Sequence, residues 1–293
     1  MRTTDELEWD LAVDFVCVGA GAGGLAASIA AVDAGATAFV ADYCRPLDRP
    51  SHDVSRPDSS PGRLDRTLGV EVADGETNGY LAALTEDLSE SVAPSSDDNV
   101  PVMAVADFAP ITTKKPGKRD PVPPFHGGRL GDWRAECVAS PFGVVYSRVI
   151  TDATTPKRSR SGSMVEIARI GALELDPDAL APTLEQWLST VARDRGIDVH
   201  DRSRLQRLVF EEGQVAGAVF DTPTATLAVR ARHGLMLACD AERSHNATPV
   251  AALVRQPSTA EVCLVREPLS RFSRLELHVR ASSVQTCVSA RGR

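Results

Sequence analysis

Several features that would identify a class of protein are missing from this 293-residue sequence. No apolar run reaches about 18 residues, so no transmembrane helix is predicted. The six cysteines form no C-x-x-C pair, which argues against a zinc site and against a disulfide scaffold. The chain also has no excess of positive charge. Its formal net charge is −8, so electrostatic binding of nucleic acid is not expected.

Two further absences narrow the expectations. The G-x-S-x-G sequence of serine hydrolases does not occur. The first ten residues are polar and acidic, which is unlike a secretory signal. Scattered cysteines without such a signal favour a cytoplasmic protein with reduced thiols and no metal site. The length suits one large or two ordinary domains, and a hydrophobic content of 43% is enough to bury a core.

A glycine-rich turn is the most informative feature that is present. Gly19 to Gly24, GAGAGG in sequence, follows the apolar run Ala12 to Val18 and precedes an alanine-rich stretch. This is the G-x-G-x-x-G turn that joins a strand to a helix and holds a pyrophosphate on backbone amides. Its first glycine is expected to make the tight turn. Gly21 leaves room for the pyrophosphate, and Gly24 lets the helix pack closely on the strand.

The residues after the turn complete a β-α-β unit. Gly35 is placed to end the helix, and Thr37 to Val40 is predicted to form a second strand. Asp42 follows that strand, at the position where a carboxylate accepts hydrogen bonds from an adenosine ribose. A carboxylate disfavours a 2′-phosphate, so NADP is the least favoured dinucleotide. The alternative is a glycine turn of another α/β protein, with Asp42 in a solvated loop.

The rest of the chain divides into polar stretches and a second ordered block. Arg45 to Arg66 and Thr151 to Ser163 are polar and are predicted to be a loop and a linker. The basic cluster Lys114 to Arg119 is expected to be a solvated loop, with a site for an anionic substrate as the alternative. The predicted helices are 80–88 and a helix that starts at Asp176-Pro177 and ends at Gly196. The predicted strands are 100–108, 197–200, the hairpin pair 205–210 and 215–220, then 225–230 and 234–239, with a pair at 261–265 and 275–279.

Two segments together resemble the FAD-binding domain of the fumarate reductase and 3-ketosteroid dehydrogenase flavoprotein family. The first is Val13 to Ala27, VDFVCVGAGAGGLAA, and the second is Arg230 to Cys239, RARHGLMLAC. In that family a long excursion separates the glycine turn from a helix, a strand, a small antiparallel sheet and a last buried strand. The resemblance covers about half of the chain. This chain lacks the Gly-Gly stretch that the family carries after the acidic residue, and it has Asp240 at a position where the family favours glycine.

The resemblance implies an α/β fold. This would be a Rossmann-like FAD-binding domain of the glutathione-reductase type, with a central parallel sheet, a small antiparallel sheet and a reduced or absent substrate domain. It implies FAD as cofactor. The implied division of the chain is a β-α-β unit at 1–44, a loop-rich insertion at 45–163, a return to the same domain at 164–240, and C-terminal strands with a loose tail at 241–293. The implied cofactor-binding residues are Gly19, Ala20, Gly21, Gly23, Gly24, Asp42 and Ala238.

The implied activity is hydride transfer at a CH–CH bond of a small lipid-like or steroid-like substrate. One alternative is a non-catalytic or incomplete subunit that needs a partner chain, and a second is an NAD-binding dehydrogenase. Catalytic residues are not identified. Tyr146 is a candidate proton donor, with a structural tyrosine as the favoured alternative. His126, His233 and the pair His52 and Asp53 are more simply loop or structural residues, and Trp133 and Trp187 are expected to be core anchors.

Overall fold

The computed structural model describes residues 7–42, 72–84, 100–110, 127–150, 154–160, 162–175, 184–239 and 258–279. The helices there are α1 (Ala22–Asp33), α2 (Gly75–Ala83), α3 (Gly127–Ala139) and α4 (Leu184–Asp194), and a 3-10 turn covers Val105–Asp107. The strands are β1 (Leu11–Val18), β2 (Ala38–Ala41), β3 (Val102–Ala104), β4 (Phe108–Pro110), β5 (Gly143–Tyr146), β6 (Thr155–Ser159), β7 (Met164–Leu175), β8 (Val199–His200), β9 (Arg204–Glu211), β10 (Gln214–Asp221), β11 (Thr226–Ala238), β12 (Ser258–Arg266) and β13 (Phe272–Val279).

All these strands belong to one mixed sheet, which is mostly antiparallel. Parallel pairs connect β11, β1, β2 and β8 in that order, and β3 pairs parallel with β13. On its other edge β11 pairs with β10 through residues 226–230 and with β5 through residues 236–238. Because β5 also pairs with β13, the parallel strands continue directly into the antiparallel strands β13, β12, β7, β6 and β4.

This connection corrects part of the predicted architecture. A small antiparallel sheet was expected beside a central parallel sheet, but the hairpin strands β9 and β10 join the same sheet through β11. The parallel strands lie at one end of the sheet order, so a central parallel sheet is not confirmed. The mixed α/β class is confirmed.

Strand β1 is buried on both faces, as its unbroken apolar run predicts. Val16 and Val18 belong to one hydrophobic cluster, and Phe15 and Cys17 belong to another. Alternate side chains of a strand point to opposite faces, so the two clusters cover the two sides of the sheet. Helix α1 packs within the second cluster through Leu25 and Ile29, and its apolar residues therefore hold it against β1.

Several predicted elements are confirmed with shifted ends. Gly35 ends α1 with a φ of 90°, and Gly196 follows α4 with a φ of 71°. The predicted start of this last helix at Asp176-Pro177 lies outside the described residues. Strands β9 and β10 form the predicted hairpin, and its turn residues Glu212 and Gly213 both have positive φ. Strands β12 and β13 pair antiparallel, with Cys263 opposite Glu276. The helix predicted at 80–88 is observed as α2, which begins earlier because the Asp74 carboxylate accepts the Thr77 amide at 2.8 Å.

Other predictions were wrong. The two strands expected at 225–230 and 234–239 are one strand, β11, because Gly234 adopts a φ of 142° and carries the chain through a bulge opposite Asp14. The strand expected at 100–108 is broken by a 3-10 turn into β3 and β4. The linker expected at 151–163 contains β6, whose pairing with β7 orders a polar sequence. Helix α3 and strand β7 were not anticipated.

No helix in the described ranges is long and apolar enough to cross a membrane.

Candidate dinucleotide-binding site

The glycine turn connects β1 to α1 as its spacing predicts. Gly19 has a φ of 99°, which only glycine adopts readily, and its amide donates to the Ala41 carbonyl at 2.9 Å. This bond ties the turn to the end of β2. Gly21 caps the helix in an extended conformation, and its carbonyl accepts the Leu25 amide at 2.9 Å as the first helical bond.

Two glycines are required by close packing. A Cβ on Gly24 would lie 2.1 Å from the Gly19 carbonyl oxygen and 3.2 Å from the Ala238 Cβ. A Cβ on Gly23 would lie 2.8 Å from the Gly143 carbonyl oxygen. The helix therefore starts in contact with the turn, with β11 and with the start of β5. This agrees with the predicted role of Gly24 in close helix packing.

The structure brings the predicted residues to one edge of the sheet. The turn follows β1, Asp42 follows β2 and Ala238 ends β11, and these three strands are parallel neighbours. The Asp42 amide donates to the His200 carbonyl at 3.0 Å, and its own carbonyl accepts the Ser203 amide at 3.1 Å. Asp42 is half-buried there. The carboxyl ends of parallel strands are where α/β proteins bind ligands.

The start of α1 is suited to an anion. The first-turn amides of a helix have no acceptor within the helix, and they carry its partial positive charge. Here the cap residue is glycine, which offers no side-chain oxygen to these amides, and the first turn holds no acidic residue. A pyrophosphate would meet neither a competing acceptor nor a repelling carboxylate. These residues therefore fit the diphosphate of a dinucleotide.

Burial makes the turn part of the core as well as a candidate site. Gly19, Ala20, Gly21, Ala22, Gly23 and Gly24 are all buried. Beneath them the Cys17 thiol lies 3.5 Å from the Gly19 carbonyl oxygen and 3.6 Å from that of Gly24. Burial raises the pKa of Cys17 to about 12, so this side chain stays a neutral thiol and acts as a packing group.

Tyr146 lies further along β5 and is fully buried, where a half-buried residue was expected. Burial raises the pKa of Tyr146 to about 12, so its hydroxyl remains protonated near neutral pH. It lines a small apolar cavity of about 50 Å³ with Phe15, Met236 and alanines of α1. This cavity is too small for a steroid-sized molecule, and Tyr146 is better described as structural.

The structure shows the surroundings of three other candidate residues. Trp133 is a core residue, and its indole donates to the Phe272 carbonyl at 2.9 Å. Trp187 is partly buried against Gly171. His233 is not enclosed. Its side chain is 64% exposed and lies 3.6 Å from the Asp14 carboxylate. His52, Asp53, the cluster Lys114 to Arg119, His126 and Asp240 lie outside the described residues.

The turn at Phe142 and Gly143 was missed by sequence reasoning. Its two carbonyls face Gly23, and they accept the amides of Leu275 and Cys239 at 3.0 and 2.9 Å. A Cβ on Gly143 would lie 1.9 Å from the Cys137 carbonyl oxygen. Its only sequence signal was the glycine itself, because the partners come from α1, β11 and β13.

Comparison with family models finds no match, and neither does comparison with curated proteins. Among solved structures, the 3-ketosteroid-Δ4-(5α)-dehydrogenase from Rhodococcus jostii RHA1 is 20% identical over 80% of this chain, with a TM-score of 0.32. A flavocytochrome c3 fumarate reductase in an open conformation is 15% identical over 79%, with a TM-score of 0.30. The myxobacterial chondrochloren halogenase CndH, an FAD-dependent enzyme, is 12% identical over 76%, with a TM-score of 0.27.

The chain spans 47%, 36% and 36% of the lengths of these three proteins. The names of the flavocytochrome and of the FAD-dependent halogenase refer to a flavin, and the first two proteins are of the kinds that the resemblance in sequence named. Their identities and TM-scores are too low to support a conclusion about this chain. The function of this chain is therefore inferred from the geometry of its own glycine turn.

Proposed function

We propose that this chain binds FAD at the turn Gly19 to Gly24 and belongs to an FAD-dependent oxidoreductase. The observation that supports this proposal most directly is the left-handed Gly19 followed by a helix start with no side-chain cap and no acidic first turn. That arrangement accepts a pyrophosphate on backbone amides. The second support is the return of the chain through the β9–β10 hairpin into β11, which lies beside β1.

Each residue of the proposed site has a role. The amides of Ala20, Ala22 and Gly23 would donate to the pyrophosphate, and Gly21 would leave room for it. Asp42 would accept hydrogen bonds from the ribose hydroxyls of the adenosine. Ala238 is a small residue at the end of β11, and its short side chain would leave space for the bound nucleotide. When bound, FAD would accept or supply a hydride.

The proposed reaction is hydride transfer at a CH–CH bond of a small lipid-like or steroid-like molecule. Its support is the family resemblance of the two sequence segments around Gly21 and Ala238. Such a reaction needs a proton donor beside the flavin ring. Tyr146 is buried away from any cavity of steroid size, so we assign the proton transfer to no residue of this chain.

The first test is the absorbance spectrum of the purified protein, with mass spectrometry of any released cofactor. The expected result is a flavin absorbance band and a released mass equal to that of FAD. A matched variant is Gly21→Ala. Alanine tolerates the φ of −63° at this position, so the fold should be kept while the added methyl group crowds the pyrophosphate. We expect FAD affinity to fall roughly tenfold or more, which is about 1.4 kcal/mol.

Different outcomes separate the alternatives. Colourless protein that takes up no FAD on titration, with tight binding of NAD by calorimetry, would replace the proposal with an NAD-binding dehydrogenase. The return through an antiparallel hairpin disfavours that alternative, because a Rossmann domain continues with further β-α units. Retained FAD without turnover would instead indicate a subunit that needs a partner chain to complete its substrate site.

A further inference from the structure

A row of polar side chains crosses the face of the sheet that α1 covers. Strand pairing places Arg266 of β12 between Glu166 of β7 and Ser273 of β13. Strand β5 is the next neighbour of β13, and its Tyr146 belongs to the hydrophobic cluster on the α1 side. Arg266, Ser273 and Tyr146 all line the cavity of about 50 Å³ beneath α1. Three strands therefore bring polar groups to one small cavity.

Arg266 carries unpaired donors at a buried position. Its side chain is 9% exposed, and its Nε donates to the Glu166 carboxylate at 2.6 Å. The guanidinium has further N–H groups on its two terminal nitrogens. These groups have no hydrogen-bond acceptor among the residues that the structure describes. Because buried polar groups are generally hydrogen-bonded, an acceptor atom inside the cavity would complete this side chain.

Tyr146 and Ser273 add a hydroxyl hydrogen to these donors. Their side chains are hydrogen-bonded to each other, and both residues are buried. Two hydroxyl groups that share one hydrogen bond use only one of their hydrogens, so the other remains to be donated. No acceptor for it is seen in the described part of the chain. The polar end of the cavity therefore offers donors from the guanidinium and from this hydroxyl pair.

Charge and size restrict what the cavity can hold. Glu166 neutralises Arg266, so the polar end has donors but no net positive charge for a buried anion. Apart from Thr154, the remaining walls are apolar; they are Phe15, Ala27, Ala30, Ala31, Ala34, Ile150, Ala168, Met236 and Leu264. A single water occupies at least about 10–15 Å³ of such a volume, so 50 Å³ suits about four non-hydrogen atoms.

We propose that this cavity binds a small neutral carbonyl compound, a ketone or an aldehyde of about four non-hydrogen atoms. Its oxygen has two lone pairs, which accept from Arg266 and from the hydroxyl pair of Tyr146 and Ser273. Its alkyl groups contact the alanines of α1. Ala34, at one end of the lining, is exposed and gives a solute a way in. The site lies along the C-terminal half of α1 and does not depend on a bound flavin.

NMR titration of the full chain, followed through its amide signals, tests the site with three planar probes of the same size. Acetone carries the acceptor oxygen, isobutene has a CH₂ group in its place, and acetate adds a negative charge. Acetone should shift the amide signals of Ala30, Ala31 and Ser273, which line the cavity. Isobutene should bind roughly tenfold more weakly, because it leaves the donors unpaired. Acetate should also bind roughly tenfold more weakly, since its charge has no free counter-charge there.

A double variant tests the hydrogen bonds alone. Tyr146→Phe combined with Ser273→Ala removes both hydroxyls, whereas either single change leaves one hydroxyl able to donate. Replacing both partners of a buried hydrogen bond with apolar groups of similar shape is nearly neutral for stability, so the fold should be kept. The double variant should bind isobutene as the original chain does, and acetone should lose roughly tenfold in affinity.

A second pair of variants tests the space itself. Ala30→Leu should abolish binding of all three probes, because the larger side chain fills the cavity. Val32→Leu is the matched control, since Val32 is also half-buried on α1 but does not line the cavity. It should leave the affinity for acetone unchanged. Thermal unfolding of each variant shows whether the fold is kept.

Four outcomes would overturn the proposal. Equal affinity for acetone and isobutene would show that the donors play no part in binding. Tighter binding of acetate than of acetone would show that the cavity selects an anion. An unchanged preference for acetone in the double variant would exclude the hydroxyl pair of Tyr146 and Ser273. Absence of shifts with all three probes would show that the cavity admits only water. None of these results bears on FAD.

Discussion

At Gly24 the start of a helix touches the turn before it, so the absence of a side chain decides the local structure. The nearest atoms to an added Cβ are the Gly19 carbonyl oxygen at 2.1 Å, the Cys17 thiol at 3.1 Å and the Ala238 Cβ at 3.2 Å. The first is backbone, which cannot swing aside like a long side chain. Helix α1 would have to move away from β1 and β11, both of which are buried.

Gly24→Ala should therefore destabilise the protein by about 3 kcal/mol, a typical cost of overpacking a core. Denaturant unfolding followed by circular dichroism measures this change. Gly131→Ala is the matched control, because Gly131 also lies within a helix and an added Cβ there meets nothing within 4 Å. Alanine is the better helix former, so this variant should be more stable by up to about 1 kcal/mol. Similar stabilities for the two variants would contradict the close approach at Gly24.

Strand β13 carries charges on a buried face. Arg274, Glu276 and His278 alternate along it and point to the same side. The Glu276 carboxylate is 3% exposed and lies 2.7 Å from Arg274 and 3.2 Å from His278. Arg274 also reaches Glu136 of α3 at 3.1 Å, with its guanidinium 5.0 Å from the centre of the Trp133 ring. His278 stacks on Phe108 at 4.4 Å. These contacts fasten α3 and β4 to the strand.

Stability should fall in acid partly through Glu276. Burial alone would raise the pKa of Glu276, but the hydrogen bond from His278 and the charge of Arg274 outweigh burial and lower it below its ordinary value of 4.5. The folded state therefore favours the ionised form. The stability from this group is fully present above pH 4.5 and is lost as the pH falls through the lower folded-state pKa.

Glu276→Gln measures this contribution. At neutral pH the variant should be less stable by about 3 kcal/mol, because Arg274 loses its buried partner. Below pH 4.5 its stability should fall less steeply than that of the original chain, since the titrating group is gone. Urea unfolding at a series of pH values gives both quantities. Parallel curves for the two proteins throughout the acid range would show that Glu276 is not held ionised by its partners.

On the scale of the whole molecule, one continuous sheet joins the parallel strands around β1 to the antiparallel strands. Strand β5 makes this connection, because it pairs with β11 on one side and β13 on the other. Strand β11 has neighbours on both edges, whereas β8 and β4 lie at the two ends of the sheet order. Opening β11 would disrupt both hydrophobic clusters, since Leu235 belongs to one and Met236 to the other.

Native-state hydrogen exchange should reflect this arrangement. The amides of β11 from Leu235 to Leu237 should exchange slowest, close to the rate set by global unfolding. The amides of β8 and β4 should exchange much faster through local fraying. Strands β12 and β13 should match β11 in protection if the sheet unfolds as one unit. Protection that is high in β11 but low in β13 would show instead that the sheet separates at β5.

The conformation of the glycine turn was predictable because it depends on local chain geometry. Gly19 needs a positive φ and Gly24 needs close contact with its own turn, and both demands arise within six residues of sequence. The position of Asp42 at the end of β2 was predictable from the expected lengths of α1 and β2. The hairpin β9–β10 was also predictable, because its apolar strands flank a short polar turn.

What escaped prediction depended on partners far away in the chain. Strand β6 is polar and forms because β7 offers it a hydrogen-bonding edge. Strand β11 continues through Gly234 because β1 holds both sides of the bulge. The groupings of Tyr80 with Arg148 and of Glu276 with α3 join segments more than sixty residues apart. No periodicity in the sequence reports such pairs.

The sequence by itself determined the glycine turn, the helix that follows it and the acidic residue after β2, because short-range sterics and hydrophobic periodicity act within one β-α-β unit. Only the tertiary structure decided that Ala238 lies beside Gly24, that a single sheet runs from β8 to β4, and that Arg148 and Arg271 lie near Tyr80. The physical reason is that strand pairing and burial of charge are settled by contacts between distant segments, which form only when the chain packs.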